Sequence, residues 1–304
     1  MQNQTIALIG YGYWGKILEQ ILGNLGYKLD IVLISNADYL NQSQCDVSSL
    51  YSDSDLRSLN ESTFVIVATG PIFHHEVLKY LQYNHHFFED CRIWLEKPFF
   101  ISNSQFQSCL GQSKNIFVDY PYVAANSHAL ELLDMEASSY EISLFSSKSY
   151  RRPYPIIFDF APHLFTLMGI CNQDLELDKY LYSVVFCHGG NVSGSLECFN
   201  TSLGIKSSSG KSFIFNFGID KKGGISSIST DNNSKKTFAK FRKLSNFPAE
   251  ASKFHRMTDL FFKPVDQNLM RFLAPNALLT HSPFCSIDFH RRIYLLTVSA
   301  LSMI

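Results

Sequence analysis

The 304-residue sequence has no long apolar run and no surplus of charge of either sign, and each absence excludes a class of protein. No apolar stretch approaches the ~20 residues that span a bilayer, and the segment MQNQTIALIG lacks a basic part followed by a long apolar one. Lysine and arginine number 26 against 27 aspartates and glutamates, so the net charge favours no nucleic-acid partner. We therefore expect a cytoplasmic protein that binds neither membranes nor nucleic acid.

Closely spaced cysteine pairs are also missing. The seven cysteines are scattered without a C-x-x-C pair, and their number is odd, so we predict reduced, mostly buried thiols. Histidine pairs occur at 74–75 and 85–86, but adjacent side chains point away from each other on a helix and no acidic or cysteine partner is suitably placed. We predict that the protein has no metal site.

The sequence does contain enough apolar material for two domains, since 46% of its residues are hydrophobic and a domain takes roughly 100 to 200 residues. Over residues 1–120, helical patterns alternate with short, continuous apolar runs at 5–9, 31–34, 63–68, 93–95 and 115–118. Such runs are typical of strands buried on both faces of a parallel sheet. Residues 1–120 are therefore predicted to form an α/β domain with a doubly wound parallel sheet.

Residues 121–304 have a different pattern. Apolar and polar residues alternate at 140–145, 182–187 and 212–217, which is typical of an antiparallel sheet with one face in water. Helical patterns occur at 124–133, 249–262 and 288–303. We predict an α+β domain for this part of the chain.

A glycine-rich turn follows the first predicted strand and precedes a predicted helix. It fits the pattern G-x-G-x-x-G with Gly10, Tyr11, Gly12, Tyr13, Trp14 and Gly15. The first glycine permits a tight turn, the second lets the backbone approach a pyrophosphate, and the third lets helix and strand pack closely. The phosphates would lie on the free N–H groups at the start of the helix. We predict a site for NAD or NADP, with a purely structural turn as the alternative.

The acidic residue that usually completes this pattern is missing. It is expected about 20 residues after the last glycine, where it binds the ribose hydroxyl, but that position holds Ser35, followed by Asn36. Serine and asparagine can donate hydrogen bonds to a 2′-phosphate, which a carboxylate would repel. This departure favours NADP over NAD, although no arginine adjoins the two residues and Asp38 is an alternative acid.

Two further groups could carry acid–base chemistry. Glu96-Lys97-Pro98 follows an apolar run, at the strand end where open α/β sheets bind ligands, and a lysine there could donate to a carbonyl oxygen while hydride reaches the carbon. The alternative is an ordinary Glu–Lys pair before a loop. Asp159 and His163 are four residues apart, which places both on one face of a helix, where the carboxylate could orient or charge the imidazole. The alternative is a buried structural histidine.

Four segments occur in the order and approximate spacing of one known family: IALIGYGYWG at 6–15, VATGPIFHHEV at 67–77, WLEKPFF at 94–100 and FDFAPHLFTLMG at 158–169. With them the chain resembles the Gfo/Idh/MocA family of NAD(P)-dependent oxidoreductases. The resemblance implies an N-terminal Rossmann domain and a C-terminal α+β domain built on an open, mainly antiparallel sheet. It also implies a homodimer or homotetramer formed through that sheet.

The resemblance gives roles to individual residues. Lys97 matches the lysine that approaches the reacting carbon and oxygen, His163 the proposed acid/base, and Asp159 the aspartate before it. His74 matches the histidine that follows the Thr69-Gly70-Pro71 turn near the nicotinamide. The predicted cofactor site thus consists of the glycine-rich turn, Ser35, Asn36, Thr69, Gly70, Pro71, His74, Glu96 and Lys97.

The resemblance also implies a substrate, namely a sugar or a nucleotide-linked sugar. Its predicted ligands are Lys97, Tyr120, Arg151, Arg152, Asp159 and His163. The two arginines could clamp a phosphate or carboxylate, or could be an exposed basic pair. Alternative functions are reduction of a C=N or C=C bond in a small heterocycle and non-catalytic sensing of a dinucleotide. Residues 154–157 and 118–121 depart from the family pattern, which predicts an altered substrate pocket.

Overall fold

The structure is a computed structural model and describes residues 5–33, 59, 64–83, 91–108, 116–118, 136–146, 150–196, 198–220, 226–232, 235–241, 273 and 287–304. The chain divides into two compact units, Met1–Asp119 with Pro264–Ile287 and Tyr120–Lys263 with Asp288–Ile304. Within the described residues no helix has the length and apolar character needed to cross a membrane.

The first unit contains a parallel sheet of five described strands. They are β1 (Ile6–Ile9), β2 (Ile31–Leu33), β3 (Phe64–Val67), β4 (Arg92–Leu95) and β5 (Ile116–Val118), in the order β2-β1-β3-β4-β5. Helices α1 (Tyr13–Asn24), α2 (Pro71–Tyr83) and α3 (Asn103–Ser108) follow β1, β3 and β4. The chain order reverses between β1 and β3, and ligands of open α/β sheets bind beside the carboxyl ends of strands at such a point.

The central strands β1 and β3 are buried on both faces, as their continuous apolar runs predicted. Every residue of β1 and β3 is at most 5% exposed, and Trp94 of β4 stacks on Phe117 of β5 with ring centroids 4.7 Å apart. Helix α2 begins at Pro71, since proline is favoured in the first turn of a helix. The predicted parallel α/β fold is confirmed.

The second unit contains a six-stranded sheet. The described strands of this unit are β6 (Ser139–Ser146), β7 (Tyr150–Arg152), β8 (Tyr182–His188), β9 (Gly194–Leu196), β10 (Phe199–Ser207), β11 (Ser212–Ile219), β12 (Ser226–Asn232) and β13 (Lys235–Phe241). The order in the six-stranded sheet is β13-β12-β6-β11-β10-β8. Strands β6 and β11 pair in parallel and the other neighbours are antiparallel, so the predicted, mainly antiparallel sheet is confirmed. Strands β7 and β9 form a separate antiparallel pair.

One face of the six-stranded sheet packs against helix α4 (Ile157–Cys171). Phe160 and Phe165 of α4 lie 5.4 Å and 6.0 Å, between ring centroids, from Phe217 and Phe215 of β11. Ile214, which alternates with these residues, is 42% exposed on the other face. The predicted helix at 288–303 is α5 (Ile287–Leu301), whereas those at 124–133 and 249–262 lie outside the described residues.

Candidate active site

The turn after β1 contains two close approaches that require glycine. Gly10 has a φ of 93°, and a Cβ atom on it would lie 2.9 Å from the backbone of Ala68 and Thr69. A Cβ atom on Gly15 would lie 2.2 Å from the carbonyl oxygen of Gly10. Helix α1 therefore starts against the turn, and the turn lies against the end of β3.

The N-terminus of α1 is open to a ligand. Gly12 is the N-cap residue, no side chain caps the helix, and its first turn carries no acidic residue. A Cβ atom on the exposed Gly12 would meet nothing within 4 Å. The uncompensated positive end of the helix dipole and the free N–H groups of its first turn are the features that bind phosphate. The residues present therefore fit the pyrophosphate of a dinucleotide.

His74 joins the loops that follow β3 and β4. Its side chain is fully buried, and its Nε2 lies 3.1 Å from the carbonyl oxygen of Thr69. Burial lowers the pKa of His74 to about 4, although the backbone carbonyls of Thr69 and Pro98 act in the opposite direction. The imidazole is therefore neutral near pH 7, and it lies between the Thr69-Gly70-Pro71 turn and Pro98, the residue that follows Lys97.

Trp14 links the glycine-rich turn to the loop after β4. Its indole N–H donates a hydrogen bond to Oε1 of Glu96, 82 residues further along the chain. Glu96 and the adjacent Lys97 are both half-buried. In the same turn, the hydroxyl of Tyr11 donates to Glu19, whose carboxylate raises the pKa of Tyr11, and Tyr13 is 67% exposed.

The structure thus places most of the predicted cofactor residues at the carboxyl ends of β1, β3 and β4. They are Gly10, Tyr11, Gly12, Tyr13, Trp14, Gly15, Thr69, Gly70, Pro71, His74, Glu96 and Lys97. Ser35, Asn36 and Tyr120 lie outside the described residues, so their roles stay predictions.

Asp159 and His163 both lie in α4, one turn apart, in the second unit. Asp159 is in the first helical turn, where a carboxylate complements the helix dipole, and is half-buried, whereas His163 is 3% exposed. The hydroxyl of Tyr154 donates to Oδ1 of Asp159 over 3.4 Å. The carboxylate is thus held by a residue that precedes the helix.

The two arginines predicted to bind substrate lie in strand β7. Arg151 is paired with Ser195 and Arg152 with Gly194 of strand β9. The Arg152 side chain is exposed, and that of Arg151 lies outside the described part of the structure. An exposed arginine is compatible with a phosphate clamp and with a solvated basic pair, so both interpretations stay open.

A buried polar cluster at the end of α4 was missed by sequence reasoning. Oδ2 of Asp174 accepts a hydrogen bond of 2.7 Å from the hydroxyl of Tyr182, and its Oδ1 accepts from the backbone N–H of Asp178. Asn172 donates to that same hydroxyl and to Ser207, each over 2.9 Å. The cluster fixes the end of α4 to β8 and β10. Its sequence signal is a polar run, 172–174, directly after an apolar helix.

Potential metal ligands do not cluster in the described part of the chain. No three histidine, cysteine, aspartate or glutamate side chains there form a group that could hold a metal ion. His85 and His86 lie outside that part, so the absence of a metal site stays a prediction.

Comparison with known proteins shows which fold the chain has. No protein-family model and no curated protein sequence matches it. It is similar to a probable dehydrogenase from Thermotoga maritima, with 13% identity, a TM-score of 0.69, and 98% of this chain and 96% of that one covered.

Two more solved structures are similar over nearly their whole length. A UDP-N-acetylglucosamine 3-dehydrogenase from Acidithiobacillus ferrooxidans has 14% identity and a TM-score of 0.65, with 100% of this chain and 98% of that one covered. A myo-inositol dehydrogenase from Lactobacillus casei, in complex with NAD(H) and myo-inositol, has 16% identity and a TM-score of 0.63, with 98% and 93% covered. At such identities the likeness establishes the fold, and this chain has the fold of these dehydrogenases.

Proposed function

We propose that this chain is an NAD(P)-dependent oxidoreductase that transfers a hydride between nicotinamide and a carbonyl or hydroxyl carbon of a sugar or nucleotide-linked sugar. The observation that carries the proposal is the uncapped N-terminus of α1, opened by Gly12 and held against β3 by Gly10 and Gly15. Lys97 lies in the loop that follows β4, the strand next to β3 in the sheet. The similarity of the chain to solved structures of dehydrogenases supports the proposal.

The first unit would hold the dinucleotide, and the second would bind the substrate and a further copy of the chain. The first turn of α1 would bind the pyrophosphate, while Thr69-Gly70-Pro71, His74 and Glu96 would border the nicotinamide end. When bound, the cofactor supplies or accepts the hydride. Ser35 and Asn36 favour NADP, and NAD is the alternative, since a similar dehydrogenase is named as an NAD(H) complex.

The chemistry of this chain's own residues would be proton transfer and orientation. In reduction, Lys97 polarises the substrate oxygen, and His163 donates the proton that this oxygen takes up when its carbon receives the hydride. In oxidation, His163 accepts that proton. Asp159 orients the imidazole, and Arg152, with Arg151, binds a phosphate or carboxylate of the substrate. Because Lys97 belongs to the first unit and His163 to the second, their joint action is part of the proposal.

The proposal extends to family and assembly. The four segments that resemble Gfo/Idh/MocA oxidoreductases include the glycine-rich turn, the Thr69 turn, Lys97 and His163. We expect a cytoplasmic homodimer or homotetramer formed through the sheet face opposite α4, where Ile214 is 42% exposed.

The test has two stages. Isothermal titration with NADP⁺ and NAD⁺ measures binding, and oxidation of NADPH or NADH is then followed with a panel of ketosugars and nucleotide-linked ketosugars. Binding of either dinucleotide together with turnover of a panel member supports the proposal. Tighter binding of NAD⁺ overturns the preference for NADP. Binding without turnover favours a dinucleotide sensor, and no binding at all overturns the proposed function.

A further inference from the structure

Contacts join the three loops at the carboxyl ends of β1, β3 and β4 in a closed circuit. The β1 loop touches the β3 loop at Gly10, where even a Cβ atom would lie 2.9 Å from the backbone nitrogen of Thr69. The β3 loop lies close to the β4 loop at His74, whose Nε2 is 3.1 Å from the carbonyl oxygen of Thr69 and whose ring lies near the backbone of Pro98. The β4 loop returns to the β1 loop through the hydrogen bond between Glu96 and Trp14.

In this circuit, the hydrogen bond between Trp14 and Glu96 joins two side chains, and its donor belongs to the glycine-rich turn. The indole N–H of tryptophan is a donor only, and a donor that meets an ionised carboxylate forms one of the stronger hydrogen bonds in proteins. Both side chains are half-buried, so water weakens the bond less than it would on the open surface. The bond therefore couples the position of the first turn of α1 to that of Glu96.

The position of the bond indicates a role beyond holding the sheet together. The end of β4 is already attached to β3, because the backbone N–H of Glu96 donates to the carbonyl oxygen of Val67 over 3.3 Å. The side-chain bond adds a second attachment, this time to the helix turn that would bind the pyrophosphate. The residue next to Glu96 is Lys97, which the proposed function places at the substrate oxygen.

We propose that Trp14 and Glu96 are positioning residues that set the place of Lys97 relative to the bound dinucleotide. This inference rests on the proposed function and deepens it. The indole of Trp14 acts through Glu96, and Glu96 acts through the backbone of Lys97. Breaking the bond should therefore harm hydride transfer far more than it harms dinucleotide binding.

The test uses Trp14→Phe, Glu96→Ala, their double variant and the conservative Glu96→Gln in the full chain. Trp14→Phe and Glu96→Ala should each lower kcat by roughly 10- to 100-fold, the scale of a misplaced catalytic group. The double variant should be no worse than either single one within about twofold, because each single change already breaks the bond. Glu96→Gln keeps an acceptor at the same place and should recover most of kcat. Because both residues border the proposed cofactor site, the Kd for NADP⁺ or NAD⁺ should rise in the other three variants, but by a much smaller factor than kcat falls.

A second measurement needs no substrate and stands even if Trp14→Phe fails to fold. The sequence has two tryptophans, so a Trp94→Phe background leaves Trp14 as the only tryptophan. In that background Glu96→Ala should shift the Trp14 emission and alter its response to added NADP⁺ or NAD⁺, and Glu96→Gln should leave both close to those of the background.

The outcomes separate the inference from the proposed function. If the unaltered chain binds neither dinucleotide, the proposed function is overturned and the inference falls with it. If it binds one of them but Glu96→Ala retains both kcat and the Trp14 emission, only the positioning role is overturned. Additive losses in the double variant, or no recovery with Glu96→Gln, overturn it as well.

Discussion

A Cβ atom on Gly15 would lie 2.2 Å from the carbonyl oxygen of Gly10, which is far inside the contact distance of carbon and oxygen. The Gly10 carbonyl cannot easily move away from Gly15, since Gly10 also packs against the backbone of Thr69. Gly15→Ala should therefore lower the free energy of unfolding by about 1–3 kcal/mol, the usual cost of overpacking. Urea unfolding of the two chains measures the difference.

Gly12→Ala is the matched control, because it adds the same methyl group in the same turn where nothing lies within 4 Å. Its cost in stability should stay below about 1 kcal/mol, as for an exposed N-cap position. Dinucleotide affinity should nevertheless fall about tenfold, which corresponds to roughly 1.4 kcal/mol, because the methyl group stands where a pyrophosphate would approach. Equal stability losses in the two variants would contradict the packing argument, and unchanged affinity in Gly12→Ala would contradict the binding argument.

His74 should make the stability of the protein depend on pH. Burial lowers its pKa from 6.5 to about 4 in the folded state, so between these values the unfolded chain binds a proton that the folded chain does not. Stability is therefore lost as the pH falls. Between pH 7 and pH 5 the natural chain should lose about 2 kcal/mol more than His74→Gln, which does not titrate.

Urea unfolding at pH 7, 6 and 5 measures that difference. Glutamine suits the comparison because its amide can still donate to the carbonyl oxygen of Thr69. Parallel pH curves for the two chains would show that His74 is charged or solvated in the folded protein, contrary to its burial.

Sequence patterns predicted the strands that carry a strong apolar signal. Two patterns made these strands predictable, namely the continuous apolar runs of β1, β3 and β4 and the alternation in β6, β8 and β11. Each pattern allows only one way to bury its apolar side chains, on both faces of a sheet for the runs and on one face for the alternation. Strand β10 was not predicted, since Gly204 in its middle argues against a strand. The ring of Phe186 on β8 occupies the space where a Cβ atom of Gly204 would lie, so the tertiary contact explains the glycine.

The candidate site was predictable in part. The glycine-rich turn, Lys97 and the Asp159–His163 spacing follow from local patterns, whereas the bond from Trp14 to Glu96 joins residues 82 positions apart and depends on the order of the strands. The contact of Tyr154 with Asp159 was missed for a different reason. The two residues are near in sequence, and Pro153 and Pro155 mark the break between β7 and α4, but these prolines do not indicate that the Tyr154 hydroxyl turns toward Asp159.

Tyr154→Phe should slow turnover with little loss of stability. The ring is 5% exposed and is kept, while the hydroxyl that donates to Oδ1 of Asp159 over 3.4 Å is removed. Because this bond is long, we expect kcat to fall only about 3- to 10-fold, with KM nearly unchanged. Tyr294→Phe, which removes the hydroxyl of a tyrosine stacked on Phe158, is the matched control and should keep kcat. Equal effects of the two substitutions would remove the role given to Tyr154.

Lys97→Met and His163→Ala test the proton-transfer roles directly. Each should lower kcat by about 10²- to 10⁴-fold, the usual contribution of a positioned acid or base, while the Kd for the dinucleotide changes little. Methionine matches the length of lysine, so Lys97→Met removes the ammonium group with little change in packing. Lys28→Met, at an exposed position between α1 and β2, makes the same substitution and should leave turnover unchanged.

The two losses should also differ in their response to pH. His163→Ala removes the proposed proton donor and acceptor, so the limb of the kcat profile that depends on this proton should disappear in that variant and persist in Lys97→Met. Steady-state kinetics from pH 5.5 to pH 9, at saturating dinucleotide, measure this difference. Turnover that survives both substitutions would remove Lys97 and His163 from the mechanism and leave the first unit as a dinucleotide-binding module alone.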